Sequence, residues 1–287
     1  MHLIGSEAAV PRARKWIMMG IVFLVISVVA GQADLAAQRP ESSFPQPKRG
    51  VAYDTFPHDL LGNWKPFPEN RNCGSLKDER GNSRGTCQYP VDQLEKLMND
   101  RARAWIKFFD EPISPKWSCV SGNVTTELGD IYMWNFSANE DAVLQQFEQS
   151  NWARPIYIDG RPHPPATQVF YQGHAIGWLD GEVLVVETMN FAFDPDGMDD
   201  QSHIATSHMK KQTERYKVTG KDTMDVEITV EDPIFLTAPF TWTVKAKKMN
   251  TPFTGEWFCD PDVGLHHLYS TAPQRYKDDK LFEKYKD

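Results

Sequence analysis

Apolar and polar residues alternate with a period of two along much of the second half of the chain. In the runs 224–231 and 240–248, apolar side chains take every second position, with Asp, Glu, Thr or Lys between them. Strict alternation indicates strands with one buried and one hydrated face, as in an antiparallel sheet. The two runs are therefore predicted to share one apolar interior, made by Met224, Val226, Ile228, Val230, Phe240, Trp242 and Val244.

Turn signals divide the rest of this half into further short strands. Asp180-Gly181 predicts a tight hairpin, and Gly220 to Asp222 predicts a second one. About nine short strands joined in this way predict a mainly β fold, an antiparallel barrel or sandwich that is lipocalin-like. We favour a closed or nearly closed barrel, because closure removes exposed strand edges. The expected strands are 131–136, 143–149, 154–158, 175–179, 182–190, 206–218, 223–231, 240–248 and 256–259.

One segment before the strands has a helical period instead. Pro90 suits a first helical turn, and Pro112 ends the segment. One N-terminal helix over 90–111 is therefore predicted, packed on or beside the sheet. Its apolar stripe consists of Val91, Leu94, Leu97, Met98, Ala102, Trp105 and Phe109.

The beginning of the chain has the layout of a secretory signal peptide. Three basic residues at 12–15 precede an uncharged apolar run of 15 residues at 16–30, and small residues follow at 33–37. A bilayer span needs about 20 apolar residues, so a permanent anchor is the weaker reading. We therefore expect a secreted or periplasmic protein with no membrane association after cleavage, which leaves Gln38 or Asp34 as the mature N-terminus. The expected organisation is a signal peptide at 1–37, a Pro-rich arm and disulfide-stapled loop at 38–89, the helix at 90–111, the antiparallel β domain at 112–262 and a C-terminal tail at 263–287.

The net charge and the cysteine content of the chain exclude some classes of function and favour others. The formal net charge is −8, which disfavours nucleic acid as a partner, because phosphate backbones attract concentrated Lys and Arg. An even number of cysteines in an oxidising compartment predicts disulfides, expected here as Cys73–Cys87 and Cys119–Cys259. No C-x-x-C spacing, Gly-rich dinucleotide motif or P-loop occurs in the sequence, so neither a metal nor another cofactor is expected.

Several sequence blocks also carry a family resemblance. The stretch from Cys119 to Cys259 resembles an uncharacterised family of secreted bacterial β-rich proteins. The resemblance implies an exported, β-rich, single-domain protein and implies no particular activity. It rests on RPIYIDGRPHP (154–164), GHAIGWLDGEVLVVETMNF (173–191), TERYKV (213–218), ITVEDP (228–233) and the closing Cys259.

Four residues are candidates for acid–base catalysis. His163 and His174 are expected at strand ends, where their side chains would project into a barrel mouth. Glu187 is expected on an otherwise apolar strand face, where burial would raise its pKa and suit it to acid–base work. The alternative is a structural ion pair of Glu187 with an arginine, Arg161 or Arg215. His208 is expected at the start of a polar strand face that continues with Lys210, Gln212, Glu214 and Tyr216.

Function is predicted at the level of class only. The first hypothesis is binding of a small, largely apolar molecule in a barrel cavity, with Arg161, Trp178, Glu214 and Trp242 as ligand-binding residues. One alternative is a cofactor-independent hydrolase or lyase that uses the His and Glu groups. Another is a structural, envelope-associated protein without a ligand. The sequence carries no signal for an oligomeric state.

Overall fold

The computed structural model describes residues 40, 56–67, 74–77, 83–86, 89–120, 122–149, 152–199, 203–253 and 258–275. The expected signal peptide at 1–37 and the expected Cys73–Cys87 disulfide lie outside these residues. Among the described residues, no helix has both the length and the apolar character needed to cross a membrane.

Nine strands form a closed barrel, which confirms the predicted fold class. The strands are β1 (Gly62–Pro66), β4 (Trp134–Ala138), β5 (Ala142–Phe147), β6 (Trp152–Tyr157), β7 (His174–Asp180), β8 (Val183–Met189), β9 (Lys211–Gly220), β10 (Thr223–Glu231) and β11 (Phe240–Met249); β2 (Gly74–Lys77) and β3 (Ser83–Thr86) form a separate two-stranded sheet. Around the barrel the strands follow the order β1, β11, β10, β9, β8, β7, β6, β5, β4. Every neighbouring pair is antiparallel except β6 and β7, so the sheet is mixed and not purely antiparallel.

Strand β1 comes from the segment that was expected to be an extended arm outside the core. Trp64 is fully buried and pairs with Trp134 of β4 on one side and with Lys248 of β11 on the other. The strand has only five residues and ends at Pro66. Five residues are too few to show a clear alternation, which is why the sequence pattern missed the strand that closes the barrel.

The helices are α1 (Val91–Leu97), α2 (Asp100–Phe108), α3 (Val124–Gly129) and α4 (Pro261–Arg275), with short 3₁₀ turns at His58–Leu60, Glu111–Ile113 and Pro115–Ser118. The single helix expected over 90–111 is therefore divided in two. The side chain of Asn99 accepts hydrogen bonds from the backbone N–H groups of Arg101 and Ala102, which starts a second helix. Helix α4 occupies much of the expected tail, and the predicted Cys119–Cys259 disulfide is present.

The barrel interior is the main core of the protein. The seven residues predicted to share one apolar interior are all buried. Phe56 and Leu60, which precede β1, belong to the same core as the barrel strands. Helix α3 is buried throughout and is bonded to β9, because Thr125 Oγ1 donates to Gln212 Oε1 at 2.5 Å.

Strand β9 begins later than expected, which changes the position of His208. Ser207 forms a turn in which its Oγ accepts from the backbone N–H of Met209 and its backbone N–H donates to Asp232. The strand starts only at Lys211, and His208 lies in the turn with an exposed side chain. The expected placement of His208 on the polar strand face is therefore wrong.

Candidate functional site

Glu187, His163 and His174 come together on the outer wall of the barrel. Glu187 lies in β8 opposite Ile176 of β7, while its neighbour Thr188 points inward and bonds to the interior. His163 belongs to residues 158–173, the crossover loop, which connects the parallel strands β6 and β7. The expectation that His163 and His174 project into a barrel mouth is thus wrong, since both lie with Glu187 on the outer face of the β7–β8 wall.

Gly173 and Asn190 determine how the crossover loop lies against the end of β8. Gly173 has a φ of +71°, and a Cβ atom there would lie 2.5 Å from Thr188 Cγ2 and 2.9 Å from the carbonyl oxygen of Met189. Only glycine can therefore make this close turn immediately before His174. The Asn190 side-chain amide donates to the carbonyl oxygens of Pro164, Pro165 and Gln168 at 2.8–3.1 Å.

The three groups form a chain from a buried carboxylate to a half-buried imidazole. Glu187 Oε1 lies 3.3 Å from His163 Nε2, and the Glu187 side chain is fully buried. This contact brings charge close to the ring but does not meet hydrogen-bond geometry. On the other side of the same ring, His163 Nδ1 lies 3.0 Å from His174 Nδ1. We call this arrangement the Glu–His–His chain.

The carboxylate selects the positions of the protons along this chain. One hydrogen must lie between the two Nδ1 atoms, because two lone pairs 3.0 Å apart repel each other. If His163 supplied that hydrogen as a neutral ring, its Nε2 lone pair would face the Glu187 carboxylate. We therefore assign the His163 proton to Nε2, on the side of the Glu187 carboxylate, and the proton shared between the rings to Nδ1 of His174. This assignment leaves Nε2 of His174 with a free lone pair.

The surroundings keep His174 neutral. Burial, the neighbouring His163 ring and the charge of Arg161 together lower the pKa of His174 to about 4. Tyr157 stacks on the His174 imidazole with ring centroids 5.1 Å apart, and Phe170 lies 6.2 Å away. At neutral pH the free lone pair on Nε2 is therefore available to accept a proton.

The remaining candidate catalytic residue does not join this site. His208 is exposed in the turn before β9, and none of the described contacts connects it with the Glu–His–His chain. The alternative of an arginine partner for Glu187 is also not seen. Arg161 makes hydrogen bonds from Nε and Nη2 to Asp159, and Arg215 Nη2 bonds to Asp180 at 2.7 Å.

A second polar cluster lies inside the barrel and centres on an ion pair. Arg154 pairs with Glu214, and both side chains are buried. Gln145 and Thr188 accept further hydrogen bonds from Arg154, while Tyr216 OH donates to Glu214 Oε2 at 2.5 Å. Burial by itself lowers the pKa of Arg154, but the charges of Glu214 and Tyr216 and the hydrogen bonds to both residues together outweigh this effect, and the pKa is raised.

The cluster continues from Glu214 towards helix α3. Gln212 donates to Glu214 Oε1 at 2.8 Å and accepts from Thr125. Lys210 Nζ donates to Thr125 Oγ1 at 2.6 Å and to Asn123 Oδ1 at 3.2 Å. Burial lowers the pKa of Lys210 to about 7, although nearby carboxylates oppose the shift. The side chains of the predicted polar row, Lys210, Gln212, Glu214 and Tyr216, are thus all buried, and their hydrogen bonds connect β9 with the barrel interior and helix α3.

The residues expected to bind a ligand fall into three environments. Glu214 is inside the barrel, but both of its oxygens are already hydrogen-bonded. Trp178 lies on the outer wall, packed with Ile176 and Val185. Trp242 is inside and stacks on Phe240, and its indole N–H has no hydrogen-bond acceptor among the described residues. Arg161 is at the surface, with its guanidinium carbon 3.9 Å from the ring centroid of Tyr157.

Sequence reasoning missed Arg154, the central cation of the interior. Arg154 precedes the apolar Ile156 by two residues, and alternate residues of a strand face the same way. This spacing could have indicated that the Arg154 side chain points into the barrel. In the part of the chain that the structure describes, no group of three or more His, Cys, Asp or Glu side chains is arranged to hold a metal ion. Comparison of the chain with protein-family models, curated proteins and solved structures gives no match.

Proposed function

We propose that this protein is a cofactor-independent hydrolase in which His174 acts as the general base. The observation that supports the proposal is the Glu–His–His chain, which runs from the buried Glu187 to the half-buried His174. A general base must be unprotonated at the working pH and within reach of a substrate, and it works best when its pKa lies near that pH. The low pKa and partial exposure of His174 meet the first two conditions, and the charge of Glu187 offsets the weak basicity by stabilising the proton relayed to His163.

The proposed step is attack of water on a carboxylic ester. His174 Nε2 takes a proton from water, and the water oxygen forms a bond to the carbonyl carbon. The Nδ1 proton of His174 moves to Nδ1 of His163 as the proton is taken up, so the positive charge comes to lie beside Glu187. When the ester C–O bond breaks, the leaving oxygen takes the proton from Nε2 of His174, and the proton on Nδ1 of His163 returns to Nδ1 of His174. Water is the only co-reactant.

The first test is hydrolysis of p-nitrophenyl acetate by the full chain. We expect His174→Asn to lower kcat/KM by about 10²- to 10⁴-fold, as for loss of a general base. Glu187→Gln should lower it by about 10- to 100-fold, because it removes the charge that orients His163. His208→Asn is the matched control and should leave the rate unchanged, since that imidazole is exposed and outside the chain of contacts.

The pH profile gives a second readout of the same site. The active form has an unprotonated His174, whose pKa is lowered to about 4, so the fall in kcat/KM that His174 itself causes on the acid side should lie well below pH 6.5. An ordinary exposed histidine would produce this fall near pH 6.5. The proposal is refuted if the wild-type chain and His174→Asn hydrolyse the ester equally fast.

A second candidate function is binding of a small, largely apolar molecule inside the barrel. The observation that favours it is the indole N–H of Trp242, a buried donor without an acceptor among the described residues. A ligand with one acceptor atom would satisfy that donor. Titration with an apolar fluorescent probe tests this function. We expect saturable binding that Trp242→Phe, which keeps a buried ring and removes the indole N–H, weakens and that Trp178→Phe, on the outer wall, leaves unchanged; absence of saturable binding to the wild-type chain would rule the function out.

The proposed compartment is extracytoplasmic, either secreted or periplasmic. The Cys119–Cys259 disulfide supports an oxidising environment. The expected signal peptide at 1–37 adds to this from the sequence. N-terminal sequencing of the exported protein should give Gln38 or Asp34 as its first residue, and recovery of the uncleaved chain from the membrane fraction would contradict the proposal.

A further inference from the structure

Three large apolar side chains are exposed next to the Glu–His–His chain. The exposed fractions are 50% for Val169, 42% for Phe170 and 47% for Phe193. Single exposed apolar residues are common on protein surfaces, whereas neighbouring ones often mark a binding surface. We call these three residues the apolar strip.

Backbone hydrogen bonds join the segment of Phe170 to the segment of Phe193. The N–H of Phe170 donates to the carbonyl oxygen of Asn190, and the N–H of Ala192 donates to the carbonyl oxygen of Phe170, both at 2.8 Å. Phe170 is therefore held beside residues 190–192, and Phe193 follows directly. At one end, the Phe170 ring lies 6.2 Å from the His174 ring.

The strip is also held in place and not left loose on the surface. Phe193 packs edge-on against Trp105 of α2, with ring centroids 5.3 Å apart. The indole N–H of Trp105 donates to the carbonyl oxygen of Pro195 at 2.8 Å. A fixed apolar surface loses little conformational entropy when a ligand covers it, so it favours binding.

We propose that the apolar strip binds the acyl chain of an uncharged ester whose carbonyl group reacts at His174. This inference rests on the proposed hydrolase function and names its substrate class. The strip begins at the His174 ring, so an acyl chain that starts at the carbonyl carbon would extend over Phe170 and then Phe193. Asp159 and Arg161 are hydrogen-bonded to each other, so neither offers a free charge to pair with a charged substrate, which favours a neutral one.

The test is a series of p-nitrophenyl esters from acetate to octanoate, hydrolysed by the full chain. Each methylene group that the strip removes from water should raise kcat/KM about fourfold until the strip is covered. The double variant Phe170→Ala/Phe193→Ala should lose this dependence on chain length, measured as the ratio of its kcat/KM values for octanoate and acetate. Phe170→Leu, which remains apolar, should retain most of the dependence. Phe258→Ala is the matched control, since Phe258 is 91% exposed and lies outside the strip.

The outcomes separate the two proposals. If the wild-type chain hydrolyses acetate through His174 but the rate does not rise with chain length, the substrate class is wrong and the hydrolase function stands. If the rate rises with chain length equally in the double variant, the strip is not the acyl site. If no ester of the series is hydrolysed faster by the wild-type chain than by His174→Asn, both proposals fail. Circular dichroism of each variant checks that it is folded.

Discussion

Replacing Glu214 by Gln removes the negative charge from the interior of the barrel while keeping the size of the side chain. Arg154 would then be a buried cation without its counter-ion. The new amide group would also present donors to a guanidinium that is itself only a donor. In the native protein the Glu214 oxygens accept from Arg154, Gln212 and Tyr216, so several partners are disturbed at once.

The expected loss of stability in Glu214→Gln follows from the burial of the Arg154–Glu214 ion pair. Breaking one partner of a buried ion pair destabilises a protein by about 3–5 kcal/mol, because the remaining charge is uncompensated. A typical domain is stable by only about 5–15 kcal/mol, so the variant should be close to unfolding at room temperature. Glu227→Gln is the matched control, since Glu227 is on the outer face of β10 and is exposed. Its cost should be under about 0.5 kcal/mol.

Urea denaturation followed by tryptophan fluorescence measures both variants. The cost of Glu214→Gln should persist at high salt, because a buried pair is screened much less than a surface pair. A cost below about 1 kcal/mol, or a cost that disappears at high salt, would falsify the assignment of a dry interior ion pair.

Three further predictions concern stability. The unfolded chain holds the Lys210 proton up to a pKa near 10.5 and the folded chain only to about 7, so stability should rise between these pH values. Denaturation at a series of pH values should show that Lys210→Met removes this rise, and an unchanged slope would contradict the burial of the charged amine. The double variant Cys119→Ser/Cys259→Ser opens a loop of 140 residues and should lower the free energy of unfolding by about 5 kcal/mol in the chain-entropy model. Chemical denaturation of the variant and of the wild-type chain measures this difference. Trp242→Ala should cost about 3–5 kcal/mol, as for a buried aromatic residue, and chemical denaturation with no change in midpoint would show that the side chain is not part of the core.

The barrel itself was predictable because its strands repeat a strong local pattern. Strand β10 (Thr223–Glu231) has the bounds that the alternation predicted, and β11 differs by one residue. The two hairpin turns were also recognisable from glycine and aspartate. In contrast, β1 was missed because five residues with a terminal proline carry too little pattern. Helix α3, with its Thr-Thr-Glu-Leu-Gly sequence, was missed because its burial depends on partners distant in the sequence.

The sequence predicted which residues form the candidate site, but it did not predict where on the barrel the site lies. His163, His174 and Glu187 were recognised from their chemistry and strand positions, and the structure brings them into contact. Their location on the outer wall depends on the parallel pairing of β6 and β7, which forces the crossover loop over β8. Alternation along a strand cannot tell a wall covered by a loop from a wall that faces the core, because both are apolar. His208 was misplaced because a turn at Ser207 interrupts a sequence that otherwise alternates.

The closure of the barrel by β1 has a consequence for the order of folding. Asn63 pairs with Met249, so the strand that is synthesised first among the nine finds its partner in the strand that is synthesised last. Contacts so distant in sequence give a high contact order, and barrels of this type fold slowly. Until β11 is complete, the edge of β10 that faces it is unpaired and can recruit another chain. A chain that stops before β11 is therefore expected to aggregate, whereas loss of helix α4 (Pro261–Arg275) removes none of the barrel strands.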